Sequence, residues 1–150
     1  MLEIMSMTEE NYKAAADIEQ TCFSDRPWTA EQFREELSLD FSRTFIAYSD
    51  GVAAGFVNLW LTPPMALINN IAVLPQFRRQ GIAAKLIMTA LSACDDCSSL
   101  TLEVRESNEG AIKLYNKMDF SQVGRRRRFY ENPTEDALIM TKFFRKGEYI

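Results

Sequence analysis

The stretch that most limits what this chain can become is Asn70-Ile71-Ala72-Val73-Leu74-Pro75-Gln76-Phe77-Arg78-Arg79-Gln80-Gly81-Ile82-Ala83-Ala84-Lys85-Leu86. It begins as an apolar strand, stops at Pro75, and turns through a basic loop into an amphipathic helix opening near Gly81. The first amides of such a helix have no intrahelical acceptor and point outward at the positive end of the dipole, which suits an anion. Gly81 and Ala83 carry almost no side chain, so a bulky anion can approach the backbone, and Arg78, Arg79 and Lys85 add charge. An ordinary strand–loop–helix connection with solvated arginines is the plain alternative. The spacing matches neither G-x-x-x-x-G-K-[ST] nor G-x-G-x-x-G.

Composition narrows the chemistry. The 150 residues are 47% hydrophobic, enough for one domain with a proper core, here expected to span residues 1–150. No apolar run is long enough for a membrane span and no leader pattern opens the chain, so cytoplasmic residence is the expectation. A net charge of −4 argues against general nucleic-acid affinity and favours cationic substrates. The chain has no histidine, so Ser-His and Cys-His schemes are absent and a base must be a carboxylate, Tyr, Lys or Cys. A metal site is not expected. Cys94 and Cys97 have redox spacing, but the acids between them would raise a thiol pKa, which favours two reduced thiols.

Along the chain, Leu2 to Met7 reads as a strand, followed by a helix capped by Thr8. Asp25-Arg26-Pro27-Trp28 breaks it, and Thr29 with Gln32 forms a capping box for a second helix. Two apolar runs around Asp50-Gly51 predict a hairpin. Ala66 to Val73 is the next strand, Gly81 to Cys94 a helix, Ser99 to Arg105 a strand. Asn108 opens a further helix, two closing strands run from Phe120 to Tyr130 and from Ala137 to Phe144, and residues 145–150 form a loose tail. The order β–α–α–β–β–β–α–β–α–β–β implies an α/β (α+β) domain with helices on both faces of a mixed sheet.

Strict alternation places Thr101, Glu103 and Arg105 on one face of their strand, opposite Leu100, Leu102 and Val104. A carboxylate inside a sandwiched strand is costly unless paired or put to use. A Glu103–Arg105 pair on a solvated face is the structural alternative. Tyr115 lies within an apolar helical stripe, as a core tyrosine would, and Asn108 suits a cap. Trp28 fits either a packed ring or a ligand contact. In the run Arg125 to Arg128, alternation turns neighbouring arginines to opposite faces, so they form no continuous basic surface. Solvated arginines balancing nearby acids are the plain reading, and ribosome or RNA contact is the alternative.

Arg78-Arg79-Gln80-Gly81-Ile82-Ala83 resembles the [RQ]-x-x-G-x-[GA] pyrophosphate loop of the GCN5-related N-acetyltransferases. The likeness extends to Pro27-Trp28 with Phe33, Asn70 to Val73, Leu102 to Arg105, Ser107-Asn108, Leu114-Tyr115, Phe120, and Tyr130 followed by Glu135-Asp136-Ala137 and Ile139-Met140. Across nearly the whole chain it resembles the RimI branch, the ribosomal-protein alanine N-acetyltransferases. The resemblance implies a mixed sheet of about seven strands flanked by about four helices. It implies acetyl-CoA as cosubstrate, bound by Ile71, Ala72, Val73, Arg79, Gln80, Gly81, Ile82, Ala83 and Ala84, with Asn108 a further contact.

By the same resemblance Glu103 is the general base and Tyr115 the general acid, and the acceptor lies beside Pro27, Trp28 and Tyr130. The acceptor itself is implied to be the N-terminal alanine of small-subunit ribosomal protein eighteen. Lysine side chains, polyamines, aminoglycosides, or a non-catalytic acyl-CoA-binding role are the other readings. A monomer or weak dimer is expected. Two positions depart from the usual pattern, Ala83 for the loop's second glycine and Asp119 for the glycine before Phe120.

Overall fold

The computed structural model describes residues 1–144. Its elements are β1 (Leu2–Ser6), α1 (Tyr12–Cys22), α2 (Ala30–Glu36), β2 (Ser42–Ser49), β3 (Val52–Thr62), β4 (Met65–Val73), α3 (Ile82–Ser92), β5 (Ser99–Arg105), α4 (Glu109–Lys117), β6 (Ser121–Tyr130) and β7 (Glu135–Phe143), with a single 3₁₀ turn at Pro75–Phe77. The order is the one the sequence implies. The expected tail at 145–150 lies outside the described residues.

Local chemistry sets most boundaries. Thr29 accepts from the Gln32 amide while the Gln32 side chain accepts from the Thr29 amide, the reciprocal capping box. Asn108 caps α4 by accepting from Ala111 N. Asp50 and Gly51 both take positive φ, 48° and 83°, as a two-residue hairpin turn requires. Thr8 is a correction. Its hydroxyl accepts from Glu10 N in a preceding turn, and α1 begins only after Asn11. Asp119 does adopt the helix-ending left-handed conformation, at φ 69°.

The seven-stranded sheet runs β1-β2-β3-β4-β5-β7-β6. All neighbours are antiparallel except β4 and β5. On one face, Leu86, Ile87 and Ala90 of α3 pack with Val57, Leu59, Leu100, Leu102 and Met140. On the other, Ala15, Ala16 and Ile18 of α1 and Phe33 of α2 cover Ile46, Phe56 and Ala72. Phe33 is fully buried, edge-on to Phe56 at 5.2 Å between ring centres. Deleting such a ring costs about 3–5 kcal/mol.

One irregularity in β4 shapes the rest. Asn58 of β3 pairs with Asn70 and Leu59 with Ile68, so Asn69 is an extra residue, a β-bulge. Ile68 and Ile71 consequently both pack with the α3 side, although they are three positions apart. Asn69 and Asn70 both turn the other way, where Asn69 donates to Asn58 Oδ1 at 2.9 Å and Asn70 donates to Glu19. A bulge bends its strand and increases its twist. Beyond it β4 leaves β5, and the two are paired only at Met65–Ser99, Ala66–Leu100 and Leu67–Thr101. At the end of β4, where Gly55 pairs with Val73, a Cβ on Gly55 would stand 2.7 Å from Ala72 O.

Candidate active site

Beyond Leu67 and Thr101 the strands β4 and β5 part, and the wedge between them is bordered by Ile71 and Val73 on one side and Glu103 on the other. On its β4 side, Leu74 N donates to Ala54 O of β3. By strand alternation the N–H and C=O of the preceding residue, Val73, turn toward the wedge, as do those of Ile71. The Val73 carbonyl is already engaged, accepting from Arg78 Nε at 3.0 Å and from Cys22 Sγ at 3.6 Å. Arg78 thus straps the loop back onto the end of β4.

In the loop that follows β4, the amides of Arg79, Gln80, Gly81, Ile82, Ala83 and Ala84 donate to no acceptor among the described residues. The next one along, Lys85 N, bonds Gly81 O. Arg79 and Gly81 hold φ at 65° and 78°. Alternating left-handed residues before a helix turn successive N–H groups into one concavity, an anion nest. A Cβ on Gly81 would meet nothing within 4 Å. The glycine is therefore needed for its backbone angle rather than for space. Ala83 is partly exposed at the first turn of α3.

Glu103 stands on β5 opposite Ile139 of β7. Its Oε1 lies 3.3 Å from Arg126 Nε, and its Oε2 is buried without a hydrogen-bond partner. The expected Glu103–Arg105 pair is not formed. Arg105 instead donates to the carbonyls of Pro133 and Glu131 at 2.9 and 2.7 Å, and to Glu135 Oε1 at 3.2 Å. Its guanidinium lies 3.8 Å from Asp25 and 4.6 Å above the Tyr130 ring. Glu131 N donates to Asp25 Oδ2, so the α1–α2 loop and the β6–β7 turn are joined over this face of the sheet.

Tyr115 projects from α4 into the core, against Phe120. Burial, and secondarily the neighbouring Tyr130, push its phenol up to about 12. Tyr130 is likewise pushed up to about 12, by burial and then by Glu103, while Arg105 pulls the other way. Tyr130 thus lies within electrostatic reach of both Glu103 and Tyr115. Both phenols stay protonated across the physiological range.

Trp28 is half-buried. Its ring packs edge-on to Phe33, its backbone N–H donates to Glu19 Oε2 at 2.9 Å, and its carbonyl accepts from Gln20. Pro27 precedes it on the same loop. Asn108 spends its side-chain oxygen on the α4 cap and is exposed.

The arginine run departs from strict alternation. Between the Arg126–Ala137 and Tyr130–Glu135 pairs three residues of β6 face one of β7, and Arg128 has φ 51°. Arg125 bridges Glu106 and Asp136, and Arg126 serves Glu103. Cys94 and Cys97 are free and buried, and Cys94 is pushed up to about 12 by burial, then by Cys97 and Asp95. Among the described residues no cluster of ligating side chains could hold a metal and no helix is long and apolar enough to cross a membrane.

Sequence reading missed Glu19, which is 3% exposed and joins Trp28 to Asn70. A signal was present: Tyr12, Ala15, Ala16 and Glu19 share the helical spacing of one buried face. It also missed Arg126 as the partner of Glu103, because that contact crosses β7.

Residues 10–120 match the acetyltransferase (GNAT) family. The [ribosomal protein bS18]-alanine N-acetyltransferase of Escherichia coli strain K12 is 33% identical over 147 residues, covering 93% of this chain and 96% of the relative. The N-alpha-acetyltransferase RimI of Mycobacterium tuberculosis is 31% identical over 144 residues, covering 93% and 90%. The crystal structure of the Escherichia coli ribosomal-protein-S18-alanine N-acetyltransferase superposes with a TM-score of 0.85, covering 100% of this chain and 99% of that one. At 22% identity, the NatC complex bound to Gag peptide and CoA shares the fold, with a TM-score of 0.85 over 96% of this chain and 99% of that one. Fold, extent of match and identity agree: the chain belongs to the GNAT family and is an acetyltransferase.

Proposed function

We propose that this acetyltransferase moves the acetyl group of acetyl-CoA to the N-terminal alanine of the small-subunit ribosomal protein bS18, as one cytoplasmic domain spanning the chain. The observation that carries the reading is Glu103 Oε2, buried and without a hydrogen-bond partner on a strand that borders the wedge. The relatives named for bS18 support the choice of acceptor.

Acetyl-CoA, when bound, supplies an activated thioester. The chain has the donors it calls for. The free amides from Arg79 to Ala84, with Arg79 and Gln80 beside them, suit a pyrophosphate. The outward peptide groups of Ile71 and Val73, flanking Ala72, suit an amide-bearing arm. Asn108 would add a contact from the start of α4.

A protein α-amine has an unperturbed pKa of about 7.7–8.0, so much of it arrives protonated. Glu103 Oε2 takes that proton, directly or through a water, while Arg126 holds Oε1. The Val73 N–H faces the wedge and can donate to the developing oxyanion. The freed amine attacks the thioester carbonyl, and the carbon–sulfur bond breaks as Tyr115 gives its proton to the sulfur. The proton shed by the acylated nitrogen restores the phenol through solvent. Pro27, Trp28 and Tyr130 shape the acceptor's side.

The test is thiol release from acetyl-CoA with peptides beginning Ala-Arg, internal-lysine peptides and spermidine. Turnover confined to the Ala-Arg peptides is expected. A preference for lysine or spermidine would reassign the acceptor, and no release with any of them would leave an acyl-CoA-binding module. Glu103→Gln should lower kcat about 100-fold or more with acetyl-CoA affinity unchanged.

A further inference from the structure

Glu19 is a carboxylate buried on α1 and unused by the mechanism above. Its side-chain partners are neutral: Trp28 N–H at 2.9 Å on Oε2, and the Asn70 Nδ2 at 2.9 and 2.8 Å on Oε1 and Oε2. Burial pushes its pKa up, against these hydrogen bonds. An apolar side chain would fill the space without the desolvation penalty. What the carboxylate adds is two acceptors at fixed positions. One seizes the loop that carries Pro27 and Trp28, and both seize Asn70, the residue after the β4 bulge and before Ile71.

Asn69 is pinned separately, through Asn58 to Glu36, which also accepts from Ser42 and Trp60. The bulge is therefore held from both helices of that face. Asn70 is the link that leads to the α1–α2 loop.

We propose that Glu19 is a positioning residue for the acceptor, fastening the α1–α2 loop to the bulged end of β4 through Trp28 and Asn70. This rests on the reading of Pro27 and Trp28 as acceptor contacts. Loop and strand then move as one body, so the acceptor is held at a set height above the β4 edge where the donor lies.

The test is a charge-swap cycle. Asn70→Asp sets two carboxylates against one another. Glu19→Gln in that background restores a donor–acceptor pair, with the new side-chain amide donating to the new carboxylate, and leaves an oxygen for Trp28 N–H. Asn70→Asp should raise the acceptor KM about tenfold with acetyl-CoA KM within about twofold, and the double variant should recover most of the loss. Glu19→Ala should expose the Trp28 amide, raising its hydrogen-exchange rate at least about tenfold.

An acceptor KM unmoved by Asn70→Asp, no recovery in the double variant, or an unchanged Trp28 exchange rate in Glu19→Ala would each overturn the proposal. The exchange measurement needs no acceptor. If none in the panel turns over, the acceptor reading fails while the fastening of the loop is still tested.

Discussion

Arg126 reaches across β7 to place its Nε 3.3 Å from Oε1 of Glu103, while Oε2 of the same carboxylate stays buried and free of hydrogen bonds. One oxygen is anchored and the other has no hydrogen-bond partner, as the proposed base requires. Arg126 is 57% exposed, so the bridge adds no more than about 1 kcal/mol to stability. Arg126→Ala should leave thermal unfolding nearly unchanged yet lower kcat/KM about tenfold, because Glu103 is no longer held in one rotamer. Wild-type kcat/KM would mean that the strand alone orients the carboxylate.

Arg105 holds the β6–β7 turn by two carbonyls and Glu135, and reaches Asp25 of the α1–α2 loop. Lysine keeps the charge but not the planar fork. Arg105→Lys should cost about 1–2 kcal/mol in denaturant unfolding and raise the acceptor KM, with acetyl-CoA affinity little changed. An effect on acetyl-CoA alone would count against Arg105 as the clasp of the acceptor side.

Gly81 sits at φ 78° with open space where a Cβ would be. Alanine there meets a backbone penalty of about 1–2 kcal/mol and no clash. Relief of that penalty re-aims the amides at the start of α3. Calorimetric titration of Gly81→Ala with CoA should show affinity about tenfold weaker. Unchanged affinity would show that these amides do not carry the anion.

Tyr115 and Tyr130 are each pushed from 10.0 to about 12, chiefly by burial. Between those values the folded chain keeps protons that the unfolded chain has lost. Stability from these phenols is therefore full below about pH 10 and declines as pH rises toward 12. Tyr115→Phe should flatten the decline in unfolding free energy over that window, and phenolate absorbance should lose a late-titrating component. Ordinary titration of every tyrosine near 10 would refute the burial argument.

The elements in their order, the Thr29–Gln32 and Asn108 caps, the Asp50-Gly51 hairpin and the free amides at Gly81 were all legible in the chain. Each depends on residues within a few positions of one another, where propensity and hydrogen-bond geometry act locally. The resemblance supplied the assignment of Glu103 and Tyr115, since a lone strand glutamate and a stripe tyrosine say little by themselves.

What only the tertiary structure decided depends on contacts distant in sequence. Strict alternation holds through β5 but fails at Asn69 and again between Arg126 and Tyr130, because a bulge depends on the strand beside it. Glu103 and Arg105 share a face, yet the carbonyls of Glu131 and Pro133 draw Arg105 away and Arg126 takes its place. The stretch from Asn70 to Leu86 specified strand, loop and helix by itself. That its strand parts from β5, and that Asn70 is tied to Glu19, required the folded sheet with α1 packed against it.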